Sequence, residues 1–339
     1  MPTNSALGLG NRAAFVFIRR LERLLSPSAL RRLFMPFVAA RVVFRHRRPP
    51  QSLPECLGGG EFRTTKRQQR ISTLNTTLEF FPEQLGTPKW RDRLQIEGLQ
   101  YLEAARQQKR PVILAFCHFG PYSLLRYWLR AIGIPAATLV KGESRERTFT
   151  RRLKDRVSPF PEVPTAFHRD DQLRDALEFL APGNVLLTAV DIMSGKKMDL
   201  PVDEDWQFWM ATGPIRMAMR HHAELIPCSI IDKGDWHFQI RLGPPVPAPL
   251  LASGDPALPG KNLLDSMLPV WREHPEHCTK EFLRKFHRGD LENIPVAQTN
   301  RQRTPDAGLS QKTYDFSERA IPSSLSPRER AGVREKETR

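Results

Sequence analysis

Residues 111–129 read "PVILAFCHFGPYSLLRYWL". Val112–Cys117 is a short apolar run with no polar alternation, the pattern of a strand covered on both faces, as in a parallel sheet flanked by helices. The run stops on His118, turns through Phe119-Gly120-Pro121, and regains apolar residues at helical spacing from Tyr122 to Ala131. A strand that feeds a helix through a Gly-Pro turn is half of an α/β unit, and open α/β sheets gather ligands at the carboxyl ends of their strands. His118 stands at that end. A neutral imidazole is suited to take a proton from a hydroxyl, although a structural histidine fits the same position. Neighbouring strand residues point to opposite faces, so Cys117 belongs to the core and forms no Cys-His pair with His118.

Working outward, further strands are predicted at Ala136–Val140, Asn184–Val190, Leu225–Ile231 and His237–Leu242. Helices are predicted at Arg145–Val157, Asp171–Leu180 and Pro214–His222. The alternation predicts an α/β fold: a single domain over 62–295 with a mixed, mostly parallel central sheet flanked by helices. Asn184–Val190 runs into Asp191, again at a carboxyl end. On the helix from Arg145, residues Phe149, Leu153 and Val157 form a packing row. Arg145, Arg152 and Arg156 share an adjacent face, fit either to hold phosphate bidentately or to lie in solvent. In "ATGPIRMAMRHH" Thr212 reads as the N-cap, with Gly213-Pro214 in a first turn whose N–H groups face anions well. Ile215, Ala218, Met219 and His222 fall on one face of that helix, which makes His222 a core residue.

The flanks differ from the middle. The chain of 339 residues carries 52 Lys and Arg against 37 Asp and Glu, a formal charge of +15, which favours an anionic partner. Residues 1–50 hold ten arginines and one acid, Glu22. Ala14, Phe17, Ile18, Leu21 and Leu25, then Leu30, Leu33, Phe34, Phe37 and Val38, recur at helical spacing among those arginines. Two basic amphipathic helices of this kind fit an interfacial membrane anchor or a helical pair packed on the main domain. Residues 51–61, rich in Pro and Gly, read as a linker, and the polar 296–339 as a disordered tail. No apolar run reaches the roughly 18 residues of a spanning helix, and no signal-peptide pattern opens the chain. The four cysteines lack paired spacing. His274, His277 and Cys278 offer ligand atoms without a second half-site, so no metal is expected. Charge alone favours nucleic acid; motif and aromatic platform are lacking, so none is expected as a partner.

The order of these pieces resembles a known family. "LQIEGLQYLEAARQQKRPVILAFCHFG" is similar to a lead-in helix of the form x-x-Gly-x-x-x-Leu-x-x-Ala running into a His strand. A basic helix, "PGNVLLTAVD" and "ATGPIRMAMRHHAELIPCSI" follow in order, then "HPEHCTKEFLRKFHR" as a C-terminal Pro-Glu element. Over about residues 60–290 the chain resembles the lipid A lauroyl/myristoyl acyltransferases of the lysophospholipid acyltransferase superfamily. The resemblance implies transfer of an acyl group from a thioester of acyl carrier protein or coenzyme A to a hydroxyl of a membrane lipid or glycolipid acceptor. His118 is then the general base and Arg152 and Arg156 hold acceptor phosphates. Asp191, Thr212, Gly213 and Arg145 join them as substrate-binding candidates. No metal or redox cofactor is implied, and the place of work is an anionic membrane surface, the cytoplasmic face of the bacterial inner membrane, met peripherally. The C-terminal element is structural in this reading.

The chain departs from the family at one telling position. The pattern is His, four residues, then Asp or Glu, whose charge orients the imidazole. Counting from His118 reaches Ser123, whose hydroxyl accepts a hydrogen bond but brings no charge. Either a carboxylate from elsewhere, such as Asp191 or Glu143, takes its place, or the chain is an impaired lipid-binding relative.

Overall fold

In the strand Val112–Phe116 every residue is buried. Val112, Leu114 and Phe116 enter one apolar cluster, while Ile113, Ala115 and then Cys117 enter another. That two-residue alternation between two cores is what a strand covered on both faces requires. The computed structural model containing it describes residues 17–18, 20–45, 53–59, 75, 78, 84–140, 166–169, 172–192 and 195–289. Its elements are α1 (Pro27–Arg45), α2 (Pro88–Arg91), β1 (Leu94–Glu97), α3 (Leu99–Gln107), β2 (Val112–Phe116), α4 (Leu125–Ala131), β3 (Ala136–Val140), β4 (Ala166–His168), α5 (Leu173–Phe179) and β5 (Val185–Ala189). They continue with β6 (Lys197–Pro201), β7 (Trp206–Ala211), α6 (Thr212–His221), β8 (Glu224–Gly234), β9 (His237–Leu242), α7 (Ala248–Ala252), α8 (Ala257–Glu273), α9 (Lys280–Leu283) and β10 (Phe286–Arg288).

The fold is α/β with a seven-stranded sheet in the order β1-β9-β8-β2-β5-β3-β4. From β8 through β2, β5 and β3 to β4 every pairing is parallel. Only β9 reverses against β8, and β1 runs alongside β9. The first apolar cluster holds Leu102 and Ala105 of α3, Trp128 of α4 and Leu30 of α1. The second holds Ala176 of α5, Ile215 and Ala218 of α6 and Leu264 and Trp271 of α8. Helices thus cover both faces, as the composition of β2 demands. Gly98 opens α3 at φ +76°, where a Cβ would run into the Leu242 carbonyl. The glycine of the lead-in pattern is therefore fixed by backbone approach, and its Leu102 and Ala105 by burial.

A second sheet, β10-β7-β6, is antiparallel and was not predicted. Its strands β6 and β10 are too polar or too short to show a period. Phe208 and Met210 of β7 and Phe286 of β10 close the second cluster beneath α8. The helix predicted from Tyr122 begins instead with a 3₁₀ turn, Tyr122–Leu124, ahead of α4. His222, predicted to be core, is exposed and ends α6 in the left-handed region at φ 51°. The helical run stops one residue short of the face that would have buried it. Residues 53–59 of the expected linker are packed: Leu53, Cys56 and Leu57 are buried, and Arg272 Nε donates to the Cys56 carbonyl at 2.8 Å. The expected tail lies outside the described residues.

The N-terminal helices use their apolar face against the domain. Leu30 and Val38 are buried in the first cluster, with Ile18, Leu21, Leu25 and Phe34 packed beside them. Glu22 is buried and accepts from Lys89 Nζ at 3.0 Å and Trp90 Nε1 at 2.8 Å. Phe17, Leu24, Leu33 and Phe37 remain as large exposed apolar side chains. Among the described residues no helix is long and apolar enough to cross a membrane.

Candidate active site

β2 and β5 are parallel neighbours with Phe116 opposite Ala189. Two residues further along each strand, the same register sets His118 opposite Asp191. The ladder continues for one bond, Val190 N–H to the Phe116 carbonyl at 2.8 Å. The next parallel bond would run from His118 N–H to the Val190 carbonyl. That carbonyl is instead taken by Ala211 N–H, at the end of β7, at 2.7 Å. His118 N–H donates to Asp191 Oδ2 at 2.9 Å, and His118 Nδ1 lies 2.8 Å from Asp191 Oδ1. One carboxylate thus closes the ladder and holds the ring.

Exposure divides the pair. The Asp191 side chain is wholly buried, whereas that of His118 is 31% exposed. A carboxylate only accepts, so Nδ1 donates to Asp191, and in the neutral ring the lone pair is on Nε2. Tyr122 sets its ring edge-on to the imidazole, with centroids 4.6 Å apart and planes at 72°, and stacks on Phe116. The ring is held between an acid and an aromatic wall. This arrangement can accept a proton at Nε2 and stabilise the resulting imidazolium through Asp191.

The loop after His118 is shaped by the C-terminal segment. Gly120 lies at φ +59°, and a Cβ there would run into the Ile230 carbonyl oxygen. Gly120 N–H donates to the His277 carbonyl at 3.0 Å, Phe119 bridges to Cys278, and Thr279 Oγ1 donates to the His118 carbonyl at 2.8 Å. His277 sets its ring edge against Phe119, and its Nε2 accepts from Asp232 N–H at 3.3 Å. Among the described residues no His, Cys, Asp and Glu group is arranged to hold a metal. Cys117 is buried, and desolvation followed by the charge of Asp191 pushes its thiol well above the ordinary range, which leaves it no nucleophile. Lys285 is buried at the foot of β10, its carbonyl accepting from Trp209 N–H at 2.9 Å. Burial pushes its pKa down, while Asp191 and then Glu281 pull it back.

Of the residues singled out from sequence, His118 and Asp191 are in contact. Thr212 and Gly213 follow Ala211, one backbone hydrogen bond from the Val190 carbonyl. Thr212 is not the N-cap: Ala211 occupies that position, and the Thr212 hydroxyl donates to the Lys196 carbonyl at 3.3 Å. The β7 pairing with β6 carries the strand up to the helix and leaves Thr212 inside it. Gly213 is exposed with open space around it. Ser123 lies in the 3₁₀ turn, and among the described residues no hydrogen bond joins it to His118. Arg145, Arg152, Arg156 and Glu143 lie outside the described residues. Sequence reasoning passed over Thr279 and Lys285, since both sit in a segment read as structural, and over Tyr122, read only as a helix start.

The model of the family described as bacterial lipid A biosynthesis acyltransferase matches residues 76–257, a stretch that includes both His118 and Asp191. No curated protein matches. Among solved structures, the crystal structure of the 1-acyl-sn-glycerophosphate (LPA) acyltransferase PlsC from Thermotoga maritima is similar at 15% identity, over 82% of this chain and 100% of that one, with a TM-score of 0.34. With more than half of its length matched by the family model, the chain belongs to the bacterial lipid A biosynthesis acyltransferases.

Proposed function

We propose that this acyltransferase moves a fatty acyl group from an acyl thioester to a hydroxyl of a membrane lipid or glycolipid, with His118 as general base and Asp191 as its orienting acid. Nε2 takes the acceptor's hydroxyl proton as the oxygen attacks the thioester carbonyl. Asp191 stabilises the imidazolium beside it. The tetrahedral intermediate then expels the thiolate, which receives the proton from Nε2, so one C–O bond forms, one C–S bond breaks and no redox change occurs. The observation that carries this reading is the contact of Asp191 with both the backbone and the ring of His118. It supports an active enzyme over the impaired lipid-binding relative that Ser123 alone implies.

The donor in this reading is a thioester of acyl carrier protein or coenzyme A. Arg145, Arg152 and Arg156 serve acceptor phosphates, and the first turn of α6 at Thr212 and Gly213 serves an anionic group. Residues 62–295 are the catalytic domain. Purified protein given lauroyl thioester and a bacterial membrane lipid extract should form a new acylated lipid, and His118→Ala should abolish it. Equal product from both proteins would remove His118 from the chemistry.

The same reading places the chain peripherally on the cytoplasmic face of the inner membrane. Exposed Phe17, Leu24, Leu33 and Phe37 lie in the arginine-rich segment, the pairing of apolar and cationic groups that an anionic bilayer surface attracts. Sedimentation with anionic vesicles should weaken markedly for Leu24→Ser/Phe37→Ser, and undiminished binding would count against this surface.

A further inference from the structure

His118 offers four polar attachments: its N–H, its carbonyl, Nδ1 and Nε2. Asp191 holds the N–H and Nδ1, and Thr279 Oγ1 donates to the carbonyl at 2.8 Å. Among the described residues, Nε2 is the one of the four left for chemistry. We propose that Thr279 is a positioning residue for acyl transfer, its hydroxyl fixing the His118 peptide so that the ring held by Asp191 keeps Nε2 on the acceptor hydroxyl. This rests on the assignment of His118 as base.

One carboxylate grips the N–H and Nδ1 from a single side, which leaves the peptide after His118 to be fixed by something else. That peptide enters a tight reversal, with Phe119 N–H to the Cys117 carbonyl at 2.6 Å and Gly120 at positive φ. A bond to the His118 carbonyl from a different segment supplies the third point that defines an orientation. Thr279 is itself fixed: its oxygen accepts from Phe282 N–H at 3.1 Å, so the hydroxyl proton is directed to His118. The neighbouring residues repeat the attachment, His277 through Gly120 N–H and Cys278 through the bridge to Phe119. The C-terminal element thereby forms one wall of the His118 loop, reached from 161 residues away.

Full-length wild type, Thr279→Val, Thr279→Ser, Asp191→Asn, Asp191→Asn/Thr279→Val and His118→Ala are compared with lauroyl-acyl carrier protein and the lipid extract, alongside thermal unfolding. Valine keeps the shape without the donor; serine keeps the donor. Because a displacement of about 1 Å at a reacting group costs up to roughly a hundredfold, Thr279→Val should lower kcat about ten- to a hundredfold. KM for the thioester should stay within about twofold, since orientation rather than binding is lost. Thr279→Ser should restore most of kcat. In the Asp191→Asn background the valine should cost less, because both changes act through one ring. A wild-type kcat for Thr279→Val, equal losses for valine and serine, or the same valine cost in both backgrounds would each overturn the proposal. Should Thr279→Val not fold, Thr279→Ala is read by the same criteria. Activity retained by His118→Ala would overturn the base assignment and this inference with it; an inactive His118→Ala beside a fully active Thr279→Val would overturn this inference alone.

Discussion

Asp191 binds His118 twice, through Oδ2 to the backbone N–H at 2.9 Å and through Oδ1 to Nδ1 at 2.8 Å. The first bond stands where a parallel ladder would place a carbonyl, because Ala211 has taken the Val190 oxygen. Both oxygens are needed as acceptors. A neutral isostere can meet both contacts only if the ring changes tautomer, which takes the lone pair from Nε2.

Asp191→Asn tests that dependence. The amide oxygen can accept from His118 N–H while its NH₂ group donates to Nδ1, which favours the histidine tautomer that protonates Nε2. An orienting acid supports the general-base contribution, so kcat should fall by roughly 10² to 10⁴ while the thioester KM changes little. Retention of more than about a tenth of wild-type kcat would show that Asp191 is dispensable to the base.

Ser123→Glu asks whether the position expected to carry the acid matters here. Asp191 already engages Nδ1, and Ser123 lies in the 3₁₀ turn after the loop. Adding the carboxylate should therefore leave kcat no higher than wild type in the acyl-transfer assay. A gain of about tenfold or more would mean that Asp191 supports the base poorly and that the chain is an impaired enzyme.

The site was half legible in the sequence for a physical reason. His118 and Asp191 each follow an apolar run, and an α/β sheet collects such positions at one edge, so both could be singled out. Their pairing depends on β2 and β5 being neighbours in a register that aligns Phe116 with Ala189. Strand order and register arise from the packing of whole helices and leave no local period. The parallel strands β2, β3 and β5 are continuous apolar runs and could be read directly. β4 and β10, three residues each, are held by tertiary partners instead. Thr279 was invisible because its contact with His118 spans two distant segments, and its own neighbourhood signals only a short helix cap.

Gly120→Ala probes the loop itself. The residue sits at φ +59° with the Ile230 carbonyl oxygen where a Cβ would go. Left-handed backbone costs a non-glycine residue about 1–2 kcal/mol, and the clash adds to it by forcing the loop away from β8. Loss of about 2–4 kcal/mol in urea unfolding is expected, with kcat falling further than the unfolded fraction explains. A stability within about 0.5 kcal/mol of wild type would show that the loop shifts freely.

His277 makes the same loop sensitive to acid. Its Nε2 accepts from Asp232 N–H and must be unprotonated to do so. Burial pushes its pKa below the ordinary 6.5, against the upward pull of Glu276 and Asp232, with His274 adding to the depression. Below pH 6.5 the unfolded chain therefore takes up a proton that the native chain does not. Stability contributed by neutral His277 is full above that pH, declines as pH falls, and levels off only below the depressed native value. Because the His277 carbonyl also receives Gly120 N–H, the His118 loop loosens with it. His277→Gln retains an acceptor that does not titrate, so its urea midpoint should vary less between about pH 5 and 6.5 than that of the wild type. Parallel pH profiles for the two proteins would show that the titrating group lies elsewhere, with His221, also shifted downward chiefly by burial, as the next to replace.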